Sequence, residues 1–333
     1  MECIQYRHPT KSDAAAIADI LNRSNTDFPR QRQVTAQEFC LHILEDTDYD
    51  PQGHWLAEVD SEAVGYGGGD VHKSQTDTRL NNGWVGVEVV PEHRGKGIEQ
   101  QMMLFSLEYL GSRRIYAAQQ QCMGTEGWRH DLARELGFRD VRHGYLMMWK
   151  KTKEPRVYQP PDGIHLEHRP IQEITDEELT IFVETYNDAF SEHYNFSPMT
   201  VQRLQRSKNT NERSARVTFA KDDSKTIGLC TYGARLSGRR EENAKAGMVG
   251  LLGVSEPYRR KGIGRAMISH AMKWLSQEGM ATICLSVDAE NPHALDLYTS
   301  SGFETMREDI VYRKELANSE NRAHMSQEDE NTA

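Results

Sequence analysis

The sequence predicts an α/β protein built from two similar domains, because one pattern of strand, glycine loop and helix occurs twice. In the second half, residues 248–254 form an apolar run typical of a buried strand. Apolar side chains then recur at helical spacing, at Met267, Ile268, Ala271, Met272 and Leu275. In the first half, residues 85–90 and 94–99 repeat this arrangement, and 55–65 match 218–228 as a second repeat. A repeat of about half the chain indicates duplicated domains, since solenoid repeats are roughly 20–50 residues long.

The loop between the second strand and its helix has the composition of an anion site. It reads Arg259, Arg260, Lys261, Gly262, Ile263 and Gly264, and Arg265 follows. A strand that turns into a helix N-terminus leaves backbone N–H groups without partners, and the helix dipole favours an anion there. Glycines allow the backbone to approach the ligand closely. The loop is therefore predicted to hold a pyrophosphate, although the pattern alone also fits an ordinary strand-to-helix turn.

A second element downstream supports a ligand site. Residues 281–287 are rich in β-branched and apolar side chains, which is typical of a strand. Asn291 before Pro292 predicts a helix N-cap with proline at the first helical position. Ala294, Leu297 and Tyr298 then share one helical face, before Gly302 and Phe303.

Together these two signatures resemble the acyl-CoA core of the GNAT superfamily of N-acetyltransferases. The resemblance implies two GNAT folds in tandem, each a mixed, mostly antiparallel twisted sheet flanked by helices. It implies that the loop 259–265 binds the CoA pyrophosphate and that Asn291 belongs to the same site. It also implies that the backbone of Leu252, Gly253 and Val254 bonds the pantetheine, and that Tyr298 lies beside the thioester sulfur. Acetyl-CoA is then the expected cosubstrate, without a metal.

Amide formation requires a proton for the leaving thiolate and a base for the amine. Tyr298 is the predicted acid, because a tyrosine with its ordinary pKa of about 10 is protonated at neutral pH; the alternative is a tyrosine that only packs against the sheet. The strand before the loop carries no acid, whereas Glu88 lies in the corresponding first-half strand. His193 is a candidate base, since an imidazole ordinarily titrates near neutrality, and Glu192 could orient it or bind a cationic amine. The alternatives are a loop whose aromatic side chains pack under the sheet, and a base that acts through water.

The first copy has lost residues that the second copy retains. Glu99 stands where the second copy has Gly264, Ala133 where it has Tyr298, and Glu126 where it has Asn291. A carboxylate at that helix N-terminus competes with a pyrophosphate for the same donors and repels it. We therefore interpret the first domain as degenerate and structural. The alternative is that Arg94, Lys96 and Gly97 still hold CoA in an inactive pose.

The repeat also suggests the domain limits. We expect an N-terminal domain at 1–150, a linker at 151–163 that is charged and rich in proline, and a catalytic domain at 164–316. Residues 317–333 are polar and acidic, with almost nothing to bury, and are expected to be disordered.

Composition excludes several classes of protein. The net charge of -10 and the isoelectric point near 5.7 argue against a general nucleic-acid binder. The sequence has no apolar run of about 18 residues and no signal peptide, so we expect a cytoplasmic protein that does not enter the membrane. The five cysteines are odd in number and widely spaced, which indicates reduced thiols and not a disulfide or zinc framework. His165 and His168 are expected to be surface residues of an edge strand.

The tandem arrangement resembles that of the mycothiol synthase family. Many GNAT relatives carry a glutamate on the strand before the glycine loop, and its absence here counts against the substrate of mycothiol synthase. We therefore expect an acyltransferase that transfers an acetyl group from acetyl-CoA to a primary amine of a small molecule, by direct attack in a ternary complex. One alternative is a non-catalytic acyl-CoA sensor or interaction protein, and another is an enzyme that uses a longer acyl chain. We expect a monomer in which the two domains pack together.

Overall fold

The computed structural model describes residues 3–25, 33–45, 49–71, 82–194, 196–210, 215–235 and 246–316. The chain divides into two compact units. The first unit comprises Met1–Arg142 and Asp309–Ala333, and the second comprises His143–Glu308. The predicted disordered tail, 317–333, lies outside the described residues.

The first half of the chain alternates strands and helices as the repeat predicts. Its strands are β1 (Ile4–Arg7), β2 (His54–Val59), β3 (Glu62–Val71), β4 (Asn82–Val89), β5 (Ala117–Met123) and β6 (Arg139–Lys150). Its helices are α1 (Ala14–Ser24), α2 (Ala36–Phe39), α3 (Ile98–Ser112) and α4 (Trp128–Glu135).

The second half repeats this order of elements. Its strands are β7 (Ile164–Pro170), β8 (Arg216–Asp222), β9 (Lys225–Arg235), β10 (Ala246–Val254), β11 (Thr282–Asp288) and β12 (Glu304–Glu315). Its helices are α5 (Asp176–Phe190), α6 (Val201–Thr210), α7 (Ile263–Gln277) and α8 (Pro292–Ser300).

Each unit contains a mixed, mostly antiparallel sheet, as the family resemblance implies. In the first unit the strand order is β1-β2-β3-β4-β5-β12, and only the β4–β5 pair is parallel among the described residues. In the second unit the order is β7-β8-β9-β10-β11-β6, and the parallel pair is β10–β11.

The final strand of each sheet comes from the other half of the sequence. Residues 309–315 of β12 pair with β5, and residues 144–150 of β6 pair with β11. The structure therefore divides the chain differently from the expected limits at 150 and 164. The sequence could not indicate this exchange, because the pattern of a strand does not specify which neighbour it pairs with.

Helices cover both faces of the second sheet. Met267, Ala271 and Leu275 of α7 are buried in a core that also contains Trp149 of β6. Phe182 of α5 belongs to a separate core on the other side of the sheet. The buried apolar face of α7 thus fixes the orientation of this helix, whose N-terminus follows the glycine loop.

The predicted linker is held against α7. Residues 151–163 contain neither helix nor strand. The Tyr158 N–H donates to Ser269 Oγ at 3.0 Å, and Glu154 accepts hydrogen bonds from Lys273 and Ser276 at 3.2 Å each. The segment is therefore an ordered part of the second unit and not a free tether.

Other sequence expectations can be compared with the described residues. All five cysteines are free thiols, as predicted. No described helix is long and apolar enough to span a membrane. The described residues include no group of three or more His, Cys, Asp or Glu side chains that could hold a metal ion. His165 is exposed on the edge strand β7, but the prediction for His168 was wrong: it is partly buried and bonded to Thr218 Oγ1 at 2.8 Å.

Candidate active site

A bulge in β10 opens a gap in the second sheet. The pairing of β10 with β9 shifts in register between Val249 and Leu252, and the Leu251 N–H donates to Thr231 Oγ1 at 2.8 Å. Bulges bend the strand that carries them. The parallel pairing of β10 with β11 covers only residues 246–248. Beyond it, the edge of Leu252, Gly253 and Val254 that faces β11 pairs with no described strand, while their other edge pairs with β9.

The glycine loop after β10 presents unbonded amides. Gly262 is the N-cap of α7 with φ of 89°, and Arg260 also has a left-handed φ, of 66°. The first amide of this turn with a backbone partner is that of Ala266, which donates to Gly262 O at 3.0 Å. Among the described residues, no acceptor bonds the backbone N–H groups of 262–265. These are the donors that a helix N-terminus offers to an anion.

Packing does not explain why residue 264 is a glycine. A Cβ there would meet only Leu297 Cδ2, at 3.5 Å, which is an ordinary van der Waals distance. Its φ is not in the left-handed range either. The position therefore keeps space free over the loop amides, as a close-fitting phosphate requires.

Three cationic side chains surround the loop. The Arg260 guanidinium lies 2.7 Å from Nδ1 of His293, and the Lys261 ammonium lies 5.2 Å from the centre of the Tyr258 ring. Arg265 donates to Ser300 Oγ at 2.9 Å. All three add positive charge beside the unbonded amides.

Arg259 has a different position from its neighbours. Its Nε donates to Val254 O at 3.0 Å and its Nη2 to Ala189 O at 3.1 Å, while Nη1 pairs with Glu192 at 2.9 Å. Its guanidinium thus ties the end of β10 to the end of α5. The sequence, which grouped Arg259 with the pyrophosphate ligands, gave no indication of this role.

Tyr298 and Asn291 lie on α8. Asn291 is the N-cap, and its Oδ1 accepts the Ala294 N–H at 3.0 Å, so the predicted cap is confirmed. Tyr298 is nearly buried, packed edge-on against Phe303, and its hydroxyl bonds to no described residue. Burial, with a smaller contribution from the Cys230 thiol, raises the pKa of Tyr298 well above its usual value. The phenol is therefore neutral at physiological pH.

Glu192 and His193 lie directly after α5. Glu192 has 65% of its side chain exposed and forms the ion pair with Arg259. His193 packs edge-on against Phe190, with ring centres 4.8 Å apart. His193 and Phe190 line a cavity of about 340 Å³ together with Tyr186 and Arg203, among others. Glu192 is thus paired with Arg259, whereas His193 lines the cavity.

Phe190 connects that cavity to β10. A Cβ on Gly253 would lie 2.5 Å from the Phe190 ring and 2.9 Å from Ala189 Cβ. The ring therefore rests directly on the backbone of the strand whose edge is unpaired. Gly253 is required here by this close approach.

In the first unit, the side chain of Glu99 bonds the corresponding loop. Gly95 and Gly97 have left-handed φ angles of 73° and 84°, like Arg260 and Gly262. Glu99, which is only 6% exposed, accepts the Gly95 N–H on Oε1 at 2.9 Å. Its carboxylate therefore bonds one of the loop amides for which it was predicted to compete with a pyrophosphate.

A polar cluster that sequence reasoning missed lies beside β4. Arg129 on α4 is 7% exposed and forms an ion pair with Glu88 of β4, which also accepts a hydrogen bond from Ser24 Oγ. When the two copies are aligned so that Arg94 matches Arg259, the second copy has a small apolar residue at each position of this cluster. Ser24, Glu88 and Arg129 correspond to Ala189, Gly253 and Ala294. Comparison of the two halves at constant spacing would have revealed this difference. It shows that the space beside this strand is filled in one unit by an ion pair that the other unit lacks.

Comparison with known families gives the class of protein, the acyltransferases. Residues 15–138 and 179–303 each match the model of the acetyltransferase (GNAT) family. The chain therefore belongs to the GNAT family, with two copies of its domain in tandem, as the sequence predicted.

The chain is also similar to curated relatives over most of its length. It is 26% identical over 328 residues to a mycothiol acetyltransferase of Catenulispora acidiphila, covering 92% of this chain and 97% of the relative. It is 24% identical over 262 residues to that of Propionibacterium freudenreichii, covering 78% and 76%.

Solved structures share the fold. A tandem GNAT protein from the clavulanic acid biosynthesis pathway superposes with a TM-score of 0.73 at 14% identity, covering 95% of this chain and all of the other. A GCN5-related N-acetyltransferase from Sphaerobacter thermophilus gives 0.69 at 23% identity, covering 95% and 96%.

Proposed function

We propose that the second unit binds acetyl-CoA along β10 and α7 and transfers the acetyl group to a primary amine of a small molecule. The observation that carries this proposal is the row of unbonded amides at 262–265, directly after a strand with an unpaired edge. The amides and the cations Arg260, Lys261 and Arg265 bind the pyrophosphate. The free edge of Leu252, Gly253 and Val254 bonds the pantetheine amides as an added strand does.

The reaction is a direct attack in a ternary complex. The neutral amine nitrogen forms a bond to the thioester carbonyl carbon, the bond from that carbon to sulfur breaks, and the CoA thiolate takes a proton. Tyr298 supplies this proton, since burial keeps its hydroxyl protonated. A base takes the proton that the nitrogen loses and releases it to solvent, and the phenol is reprotonated from solvent. The products are the acetylated amine and free CoA.

We propose that the base that deprotonates the amine lies on the side of the site formed by the cavity. His193 lines the cavity and is a general base of the right type. Glu192 is held by Arg259, so we propose that it orients the loop and does not accept the proton.

The first unit serves as a scaffold in this account. Glu99 bonds a loop amide, and the Arg129–Glu88 pair fills the space beside β4. Removing Arg129 or Glu88 to admit CoA would leave the other charge without its ion-pair partner in a largely buried place, which is destabilising. We propose that this unit does not bind CoA.

The test is an acetylation assay on the full-length protein. Acetyl-CoA is incubated with a library of primary amines, and products are identified by mass spectrometry. We expect N-acetylated products and one free CoA per product. Tight binding of acetyl-CoA without any product would instead indicate a sensor. Preference for a longer acyl-CoA over acetyl-CoA would contradict the proposed donor.

A further inference from the structure

We propose that the cavity between α5 and α6 selects acceptor amines that combine an aromatic or bulky apolar body with an anionic group, typically a carboxylate, which Arg203 binds. This inference rests on the proposed acetyl transfer and specifies its acceptor. It is carried by the side chains that line the cavity.

The walls of the cavity are aromatic. The rings of Tyr186 and Phe190 stack with their centres 4.9 Å apart, and Phe196 lies 6.0 Å from Tyr186. Flat apolar walls of this kind favour an aromatic or bulky apolar ligand. At about 340 Å³ the cavity is near the lower end of the range for small-molecule sites, so it fits a compact metabolite better than a macromolecule.

The cavity wall is held in place by hydrogen bonds. The side chain of Asn187 on α5 accepts the Met199 N–H at 2.8 Å and donates to the Met199 carbonyl at 3.1 Å. This pair fixes the segment before α6 against α5. A preformed wall lowers the entropy cost of ligand binding.

Arg203 supplies charge to this aromatic site. It is exposed on α6, and none of the described carboxylates forms an ion pair with it. Its guanidinium lies near Tyr186, where its charge opposes the rise in the Tyr186 pKa that burial causes. A cation beside the cavity repels an ammonium group and attracts an anion, and arginine binds carboxylates with two parallel hydrogen bonds.

The position of Phe190 places such an acceptor next to the acetyl donor. The Phe190 ring is both a wall of the cavity and the group that rests on Gly253. A ligand that stacks on Phe190 and anchors its anion at Arg203 therefore presents its amine near the unpaired edge of β10. The same repulsion from Arg203 favours the neutral amine that the attack requires.

The experiment compares phenylalanine, phenethylamine and alanine as acceptors for the full-length protein. Phenylalanine and phenethylamine differ by the carboxylate, and phenylalanine and alanine differ by the ring. We expect kcat/KM for phenylalanine to exceed that of each other amine by about tenfold or more, since one charged hydrogen-bonded contact and the burial of one phenyl ring are each worth at least that ratio.

Variants of Arg203 identify the source of the preference. Arg203→Gln should lower kcat/KM for phenylalanine about tenfold, through KM, and leave phenethylamine within about twofold of the wild type. Arg203→Lys should retain part of the preference. Arg139→Gln removes an exposed arginine of the first unit and serves as the control, with no change expected.

Two outcomes would overturn the inference. One is equal turnover of phenylalanine and phenethylamine, and the other is an unchanged ratio in Arg203→Gln. If acetyl-CoA binds but no amine is acetylated, the proposed function fails separately. Calorimetry with phenylalanine then decides: binding that Arg203→Gln weakens supports the cavity as an anion-selective site, and absence of binding overturns it.

Discussion

Arg259 hydrogen-bonds the carbonyl oxygen of Ala189, at the end of α5, at 3.1 Å. In the first unit, Arg94 makes the same bond to Ser24 at 2.7 Å, and in both cases the acceptor lies 70 residues earlier in the chain. Each arginine also bonds the last part of its own strand, at Val89 O or Val254 O, at 3.0 Å. The first arginine of the loop motif therefore links its strand to the preceding helix, which explains why both copies of the motif have it.

Arg259→Ala and Arg94→Ala should both destabilise the protein. Each removes charged hydrogen bonds to partly buried carbonyl oxygens, with an expected loss of roughly 1.5–3 kcal/mol. Arg260→Ala should leave the thermal midpoint nearly unchanged and weaken acetyl-CoA binding. Differential scanning calorimetry with a parallel binding titration separates the two effects. An Arg259→Ala protein with the wild-type midpoint would contradict this linking role.

Tyr298→Phe should preserve the fold and acetyl-CoA binding, because only a hydroxyl without a described partner is removed. Turnover should fall by roughly 10²–10⁴-fold, the range for general acid–base catalysis. The matched control is Tyr109→Phe, which removes a hydroxyl that donates to Asp50 at 2.9 Å in the first unit. Full activity in Tyr298→Phe would mean that the tyrosine only packs.

The pH profile provides a further test of Tyr298. Its raised pKa keeps the phenol protonated up to at least its ordinary value of about 10. The wild-type rate should therefore not decline from Tyr298 ionisation between pH 7 and about 10. A decline in this range that disappears in the residual activity of Tyr298→Phe would show that the phenol ionises early and would contradict the acid role.

His168 and His270 should make the protein sensitive to acid. Their rings stack 5.4 Å apart, and the pKa of each is lowered, mainly by burial; for His168, the charges of His270 and Arg216 also contribute. Because the folded state binds these protons less tightly than the unfolded state, stability is present above pH of about 6.5 and is lost as pH falls below it.

The measurement is the thermal midpoint between pH 7.5 and 5. His270→Leu removes a ring whose Nε2 is buried without a described partner, and should reduce the loss on acidification. His165→Gln, on the exposed side of the same strand as His168, is the control and should leave the loss unchanged. Identical pH dependence in wild type and His270→Leu would exclude this pair as the cause.

The strand exchange predicts how fragments behave. A fragment of residues 164–316 lacks β6, which pairs with β11 along 144–150 and buries Met147 and Trp149. It should expose a sheet edge and aggregate. A fragment of residues 143–308 retains β6 and should be monomeric, folded and able to bind acetyl-CoA. Size-exclusion chromatography and near-UV circular dichroism compare the two, and equal folding of both would contradict the unit boundaries.

The sequence predicted those features that depend on neighbouring residues. The strand, glycine loop and α7 follow from local periodicity, and the Asn291 cap follows from the residue types around it. Long-range partners were not predictable. Nothing in the sequence near Arg259 indicates Ala189, and nothing near Glu88 indicates Arg129, since these contacts join segments that only the fold brings together.

A calorimetric titration of the full-length protein with acetyl-CoA tests most directly whether the second unit alone binds this cosubstrate. We expect one site per chain, weakened at least tenfold, or about 1.4 kcal/mol, by Gly264→Glu, which places a carboxylate at the loop of the second unit. Glu99→Gly should leave one site, because the Arg129–Glu88 pair still fills the first unit. Two sites in the wild type, or a single site that Gly264→Glu does not affect, would show that the second unit is not the only one that binds acetyl-CoA.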